Sequence, residues 1–254
     1  MGQRSGLARA LPLIVALLAP ACESTPVLVY HHVGVALDRP RYVTVEDFEA
    51  QLRHLDEAGY TPITVSRYEA ILAGEAPAPR RPIVLTFDDG DHDFYRYAYP
   101  TLRAHGFVAT NFLISDVLRE SDAERVVKPW PYLVWPEIRE MQAYGIEFQS
   151  HTVHHPRLTD LSTEQIRFEL EGSKLALEAK LGQPVVAIAY PFGVHSEEVR
   201  RLTREVGYRS GYSVGGGVNR DAERIRITIG RDHQLSAFVE VLEGTWWGES
   251  SGLR

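Results

Sequence analysis

Cysteine is almost absent from this 254-residue chain: Cys22 is the single one. No intrachain disulfide can form, and a metal site built on several thiolates is excluded. Excess positive charge is also missing. A formal net charge of -7 offers no basic surface to a polyanion, which argues against nucleic acid as a partner and leaves a neutral substrate easier to accommodate. A transmembrane helix needs about 20 apolar residues, and the stretch Ala10–Leu18 falls well short of that. Internal repeats, heptads and low-complexity tracts are absent too, which removes solenoid and fibrous architectures.

What the N-terminus does hold is a targeting pattern. Arg4 and Arg9 precede the apolar stretch, and Ala19-Pro20-Ala21 supplies small residues before Cys22. Residues 1–21 therefore read as a secretory signal, removed on export. Cys22, directly after the small residues, resembles the lipidated cysteine of a bacterial lipoprotein, although Ala19 stands where such signals usually carry Leu. The expectation is an exported protein, periplasmic, envelope-anchored through a lipidated Cys22, or secreted.

Beyond a short Ser-Thr-Pro linker, residues 27–254 read as one domain. Strand-like runs (Val27–Tyr30, Ile83–Phe87, Val108–Ile114, Ile146–Gln149, Val185–Tyr190, Gly211–Val214, Ile225–Ile229) alternate with helical patterns. Thr44 with Asp47 and Ser162 with Gln165 mark helix starts, and Gly59, Gly145 and Gly182 mark stops. Strand then helix, repeated about seven times, predicts an α/β fold: a parallel sheet closed or nearly closed into a barrel. In such a barrel the chemistry sits at the C-terminal strand ends, where Asp88, Asp89, His151 and Tyr190–Gly193 all fall.

Thr86-Phe87-Asp88-Asp89-Gly90 places two carboxylates where a buried strand emerges. Such a pair is costly without a neutralising cation. Successive strand residues point to opposite sides, so one Asp can bind metal while the other keeps a free oxygen for a proton. Read alone, Asp-Asp-Gly is also a common turn or helix cap. His151 and His155, four apart, bring two imidazoles to one side of a turn, a spacing that zinc sites use. His154, between them, is expected to point elsewhere.

Thr86–Gly90, His151-Thr152-x-x-His155-Pro156 and Tyr190-Pro191-Phe192-Gly193 resemble the first three motifs of the polysaccharide deacetylases, carbohydrate esterase family four, over residues 80–215. The resemblance implies a distorted (β/α) barrel, one zinc-type divalent metal, and removal of N-acetyl groups from β-linked N-acetylglucosamine polymers. Carried over, Asp89, His151 and His155 would hold the metal and Asp88 would be the general base. The oxyanion would lean on the metal and on a backbone N–H near Phe192, and Tyr190, Pro191, Phe192 and Gly193 would line the sugar site. The ligand set suits zinc first, with cobalt, nickel and iron open.

The chain departs from the family pattern at three points. Ala189 stands where many members have an Arg that orients the base, no Asp-Trp partner for it is visible, and the late Leu-x-His that supplies the acid is missing. A branch acting on exported poly-N-acetylglucosamine differs at the same points and uses a His on an N-terminal strand. Tyr30-His31-His32-Val33 resembles that early motif. His31 is thus the first candidate for the acid, His233 the second and His32 the third. Competing expectations are an inactive glycan-binding barrel, which would have lost a ligand or the base, and a phosphoesterase, which would need a second metal and basic clamps. Neither pattern is present.

Overall fold

The computed structural model describes residues 25–35, 41–127, 130–215 and 223–246. Residues 1–21 and Cys22, the expected signal and lipid attachment point, lie outside the described residues. The described residues form ten short strands: β1 (Val27–Tyr30), β2 (His32–Gly34), β3 (Tyr42–Thr44), β4 (Thr61–Ile63), β5 (Pro82–Phe87), β6 (Thr110–Leu113), β7 (Glu147–Ser150), β8 (Ala187–Ala189), β9 (Ser210–Val214) and β10 (Glu223–Thr228). The α-helices are α1 (Val45–Glu57), α2 (Val65–Leu72), α3 (Tyr99–Ala104), α4 (Trp135–Tyr144), α5 (Thr163–Leu181), α6 (Glu197–Glu205) and α7 (Leu235–Trp246). A π-helical turn, Phe94–Ala98, leads into α3.

Seven parallel strands close on themselves. β1 pairs with β5 on one side (Val27↔Val84 through Tyr30↔Phe87) and with β10 on the other (Leu28↔Ile227), while β6 to β9 complete the ring in order. The expected barrel is therefore present, with additions that sequence periodicity did not show. β4 pairs with the N-terminal half of β5, and β6 takes the C-terminal half on the same side. β2 and β3 form a separate two-stranded ribbon. Three residues are too few to carry a period of two, which is why these strands were not legible.

The barrel has two apolar layers. Leu28, Tyr30, Ile83, Leu85 and Phe87 face outward under the helices, where Phe48, Leu52 and Leu55 of α1 meet them fully buried. Each such side chain contributes about 1.5–3 kcal/mol on burial. Val27, Val84, Phe112, Ala187, Ala189 and Tyr212 face inward. The strand period that turns Val84 inward does the same for Thr86 and for Asp88, one step beyond β5. Because all strands run parallel, their C-terminal ends gather at one end of the barrel.

Candidate active site

Asp88 leaves β5 pointing into the barrel, with its N–H donating to Tyr30 O at 3.2 Å. There it meets Arg226 of β10. The guanidinium grips both carboxylate oxygens (Nη1–Oδ1 2.6 Å, Nη2–Oδ2 2.7 Å) and also donates to Thr86 Oγ1 and Ser213 O. Burial alone would raise the Asp88 pKa, but Arg226 outweighs it and holds the carboxyl below its ordinary value. Arg226 is the residue that the sequence reading missed. It reaches Asp88 from β10, whereas the Arg of many family members would stand at the position of Ala189 on β8. A signal was present: Arg224 and Arg226 alternate with Ile225 and Ile227, so two cations share one face of a strand.

Asp89 does not follow the strand. Its φ of 74° places it in the left-handed region, which swings the carboxylate away from Asp88's side. Its Oδ1 lies 3.4 Å from His151 Nε2 and 3.5 Å from His155 Nε2. Gly90 follows at φ 77°, where a Cβ would come 2.9 Å from Leu113 Cδ2. His151 is buried, and its Nδ1–H donates to Ala189 O at 2.8 Å, which leaves the Nε2 lone pair facing Asp89. The two imidazole rings sit 4.7 Å apart at 65°.

One ligand atom from each of Asp89, His151 and His155 fits within 4.8 Å. Metal–ligand bonds of 2.0–2.1 Å in a tetrahedron imply ligand atoms about 3.4 Å apart, so the two Asp89–His separations suit a zinc-sized ion. The tautomer fixed by Ala189 O suits it as well. Burial would raise the Asp89 pKa, but His151 outweighs it and holds the carboxyl far below its usual range. Burial, aided by the neighbouring His151, lowers His155 to about 4, the neutral form that a ligand requires.

The loop bearing the histidines is tied down from behind. Buried Glu169 of α5 accepts from Val153 N and His154 N, both at 2.9 Å, and its other oxygen holds His154 Nδ1 at 2.7 Å. His154 thus turns away from Asp89. Thr152 Oγ1 accepts from His155 N at 2.9 Å. Both Thr152 and His155 have positive φ (70° and 60°), strain that these bonds hold in place.

The acid candidates separate clearly. His31, just past β1, is buried, and Asp88 and Asp89 lie close enough to favour its charged form. Burial outweighs them and lowers it to about 4. Arg41 Nη1 sits 3.1 Å from its Nε2; an arginine can only donate, so Nε2 accepts and the proton is on Nδ1. That Nδ1 is buried without a hydrogen-bond partner among the described residues. His32 instead pairs with Asp91 (Nδ1–Oδ2 2.9 Å) and abuts Trp130. His233 caps its own turn, Nδ1 accepting from Gly230 N at 3.2 Å.

The Tyr190–Gly193 segment needs a correction. Tyr190 was expected to line the sugar site, but strand parity turns it outward beneath α6. It is 1% exposed, with its hydroxyl donating to Thr203 Oγ1 at 3.2 Å. Pro191 is buried as well. Phe192 is the residue presented: it is 45% exposed at φ 61°, and its ring lies 4.8 Å from that of His155. Gly193 permits this turn, since at φ 69° a Cβ would come 2.3 Å from Val214 Cγ2.

The polysaccharide deacetylase family model matches residues 75–211, more than half of the chain. The chain belongs to the polysaccharide deacetylase family, and it is a deacetylase hydrolase. YxkH of Bacillus subtilis (strain 168), named for the same family, is 28% identical over 86% of this chain and 77% of its own length. Poly-beta-1,6-N-acetyl-D-glucosamine N-deacetylase of Staphylococcus aureus is 25% identical over 68% of this chain, which spans only 61% of that relative. Among solved structures, Streptococcus pyogenes deacetylase PplD in complex with acetate superimposes with a TM-score of 0.77 at 26% identity, covering 86% of this chain and 97% of that one. A polysaccharide deacetylase from Bacillus cereus gives 0.74 at 29% identity, covering 86% and 68%.

Proposed function

We propose that this deacetylase is a metal-dependent hydrolase removing N-acetyl groups from a β-linked N-acetylglucosamine polysaccharide outside the cytoplasm. The observation that carries this reading is the division of labour between adjacent carboxylates: Asp89 faces two imidazoles, while Asp88 faces inward on Arg226. Asp89, His151 and His155 would hold zinc, which when bound polarises the acetyl carbonyl and acidifies the attacking water. Asp88 takes the proton from that water, kept ionised and aimed by Arg226. His31 takes up a proton during the reaction and, as the imidazolium, delivers it to the leaving amine. Burial and Arg41 hold it neutral at rest, whereas Asp88 and Asp89 favour its charged form. Phe192 walls the sugar, and a backbone N–H beside it assists the oxyanion.

The polymer assignment is supported by the Staphylococcus aureus relative, whose name specifies poly-β-1,6-N-acetylglucosamine. Export is supported by residues 1–21 alone, and attachment through Cys22 by the lipoprotein resemblance. Among the described residues no helix is long and apolar enough to cross a membrane. Acetate release from an N-acetylglucosamine oligomer, measured with and without a chelator, tests the reading. Chelator-sensitive release is the expected result. Release that survives metal removal would overturn it, and metal binding without any release would favour another amide or ester.

A further inference from the structure

A second feature lies outside the barrel, between α3 and α4. An open groove of about 750 Å³ is lined by Tyr95, Tyr99, Arg96, Arg103, Glu140 and His92. Its volume is that of a typical small-ligand site. It begins at His92, joined to the metal-ligand candidate Asp89 by Gly90 and Asp91. The Tyr95 and Tyr99 rings lie parallel at 6.0 Å and 16°, and the Tyr95 hydroxyl is held by Glu140 Oε2 at 2.7 Å. Tyr95 and Arg96 lie in the π-helical turn, which is closed by Tyr99 N–H, at the start of α3, donating to Phe94 O. Such turns are uncommon and often mark functional positions.

Charge gives the groove its selectivity. His92 is tied to Glu137 and Arg125, whereas Glu140 accepts from the neutral Tyr95 hydroxyl and keeps its negative charge in the groove. Arg96 lies over the Tyr97 ring, and neither Arg96 nor Arg103 has a carboxylate partner among the described residues. Arg96 and Arg103 outnumber the one carboxylate of the lining, Glu140, so the groove wall carries an excess of positive charge on a chain whose net charge is -7. The two arginines can donate to hydroxyl and acetamide oxygens, while Tyr95, half-buried against the buried Tyr99, offers an aromatic surface to a pyranose ring. A protonated amine would meet like charge instead.

We propose that this groove binds N-acetylated, uncharged sugar residues of the polymer and discriminates against the deacetylated, cationic product. The proposal rests on the polymer reading above and extends it to a second binding site. The test is calorimetric titration of the full chain carrying His155→Ala, to prevent turnover, with a hexamer of N-acetylglucosamine and with the same hexamer fully deacetylated. The acetylated hexamer should bind about tenfold more tightly, equivalent to about 1.4 kcal/mol. Adding Arg96→Glu and Arg103→Glu, both exposed positions that leave the core intact, should erase or invert that preference. Tyr95→Ser should weaken the acetylated hexamer by a similar factor. Unchanged affinity and preference in both variants would overturn the groove. Acetate release by the unsubstituted chain separates the two conclusions. Release with no groove effect sinks the groove alone, whereas a groove effect without release shows that the groove binds the N-acetylated sugar and removes only the deacetylation of that polymer.

Discussion

Two arginines on β10, Arg224 and Arg226, each hold a carboxylate inside the same barrel, and the two pairs differ in what surrounds them. Toward the N-terminal strand ends, Arg224 lies 3.3 Å from both oxygens of Glu69, and the Tyr212 hydroxyl adds a third bond at 2.7 Å. Glu69 sits in ordinary helical backbone on α2. At the C-terminal end Arg226 grips Asp88 more tightly, but the neighbourhood is strained. Of the five non-glycine residues with positive φ among those described, Asp89, Thr152, His155 and Phe192 are here. The nearby His31 Nδ1 lacks a partner among the described residues. One pair closes the barrel; the other holds a carboxylate ready beside strained, incompletely satisfied groups. Strain of this kind persists only where surrounding structure enforces it, and it gathers at working sites.

The sharpest way to break the comparison is to neutralise each carboxylate. Asp88→Asn should lower kcat by about 10²–10⁴-fold, the usual contribution of a general base, with bound metal unchanged by elemental analysis. Glu69→Gln should leave kcat near that of the parent. Equal losses in the two variants would mean that both pairs serve only the fold.

Removing the cations comes next. Arg226→Met leaves Asp88 buried and unpaired, and Arg224→Met does the same to Glu69, each costing about 3–5 kcal/mol in a denaturant titration. Only Arg226→Met should also reduce kcat, measured where the variant remains folded, because only there does the freed carboxylate lose its aim. A normal kcat in Arg226→Met would show that Asp88 orients itself.

The upper pair also shows what could be read without coordinates. Asp88, Asp89, His151 and His155 were visible because each set is local, two neighbours or an i, i+4 wrap, and the barrel followed from strands and helices long enough to show a period. Arg226 was not, because it reaches Asp88 from 138 positions away and no local pattern encodes that meeting. Glu169 escaped for the same reason, as a helix residue whose value lies in the loop it holds. Tyr190 was misplaced because Tyr190-Pro191-Phe192-Gly193 was carried over as one motif, although only part of it faces the site. Counting parity from Ile188, which faces outward, would have turned it beneath α6.

Glycines test the strain half of the comparison. Gly193→Ala meets Val214 at the active end, both its Cγ2 and its backbone N, and should cost about 2–4 kcal/mol. It should also raise KM by displacing Phe192. Gly182→Ala, which caps α5 at φ 65° with nothing within 4 Å of the added Cβ, should cost about 1 kcal/mol and leave KM alone. Equal stability losses would show that left-handed backbone, rather than crowding against β9, sets the penalty.

The smallest effect concerns the long connection between β6 and α4, which borders the active end. Glu137 fastens it, accepting from Arg125 Nη2 at 2.7 Å, Arg125 Nη1 at 3.1 Å and Val134 N at 3.1 Å, with His92 Nδ1 3.2 Å away. Burial alone would raise this carboxyl, but neighbouring His92 and the bonds from Arg125 and Val134 outweigh it and bring it to about 2, against an ordinary 4.5. A folded-state value below the unfolded one means that the contribution is fully present above pH 4.5 and fades as pH falls toward 2. Glu137→Gln should therefore lower Tm at pH 7 and by less at pH 3. An equal gap at both pH values would assign the loss to packing of the loop rather than to the carboxylate charge, and the active end would then owe this clamp nothing electrostatic.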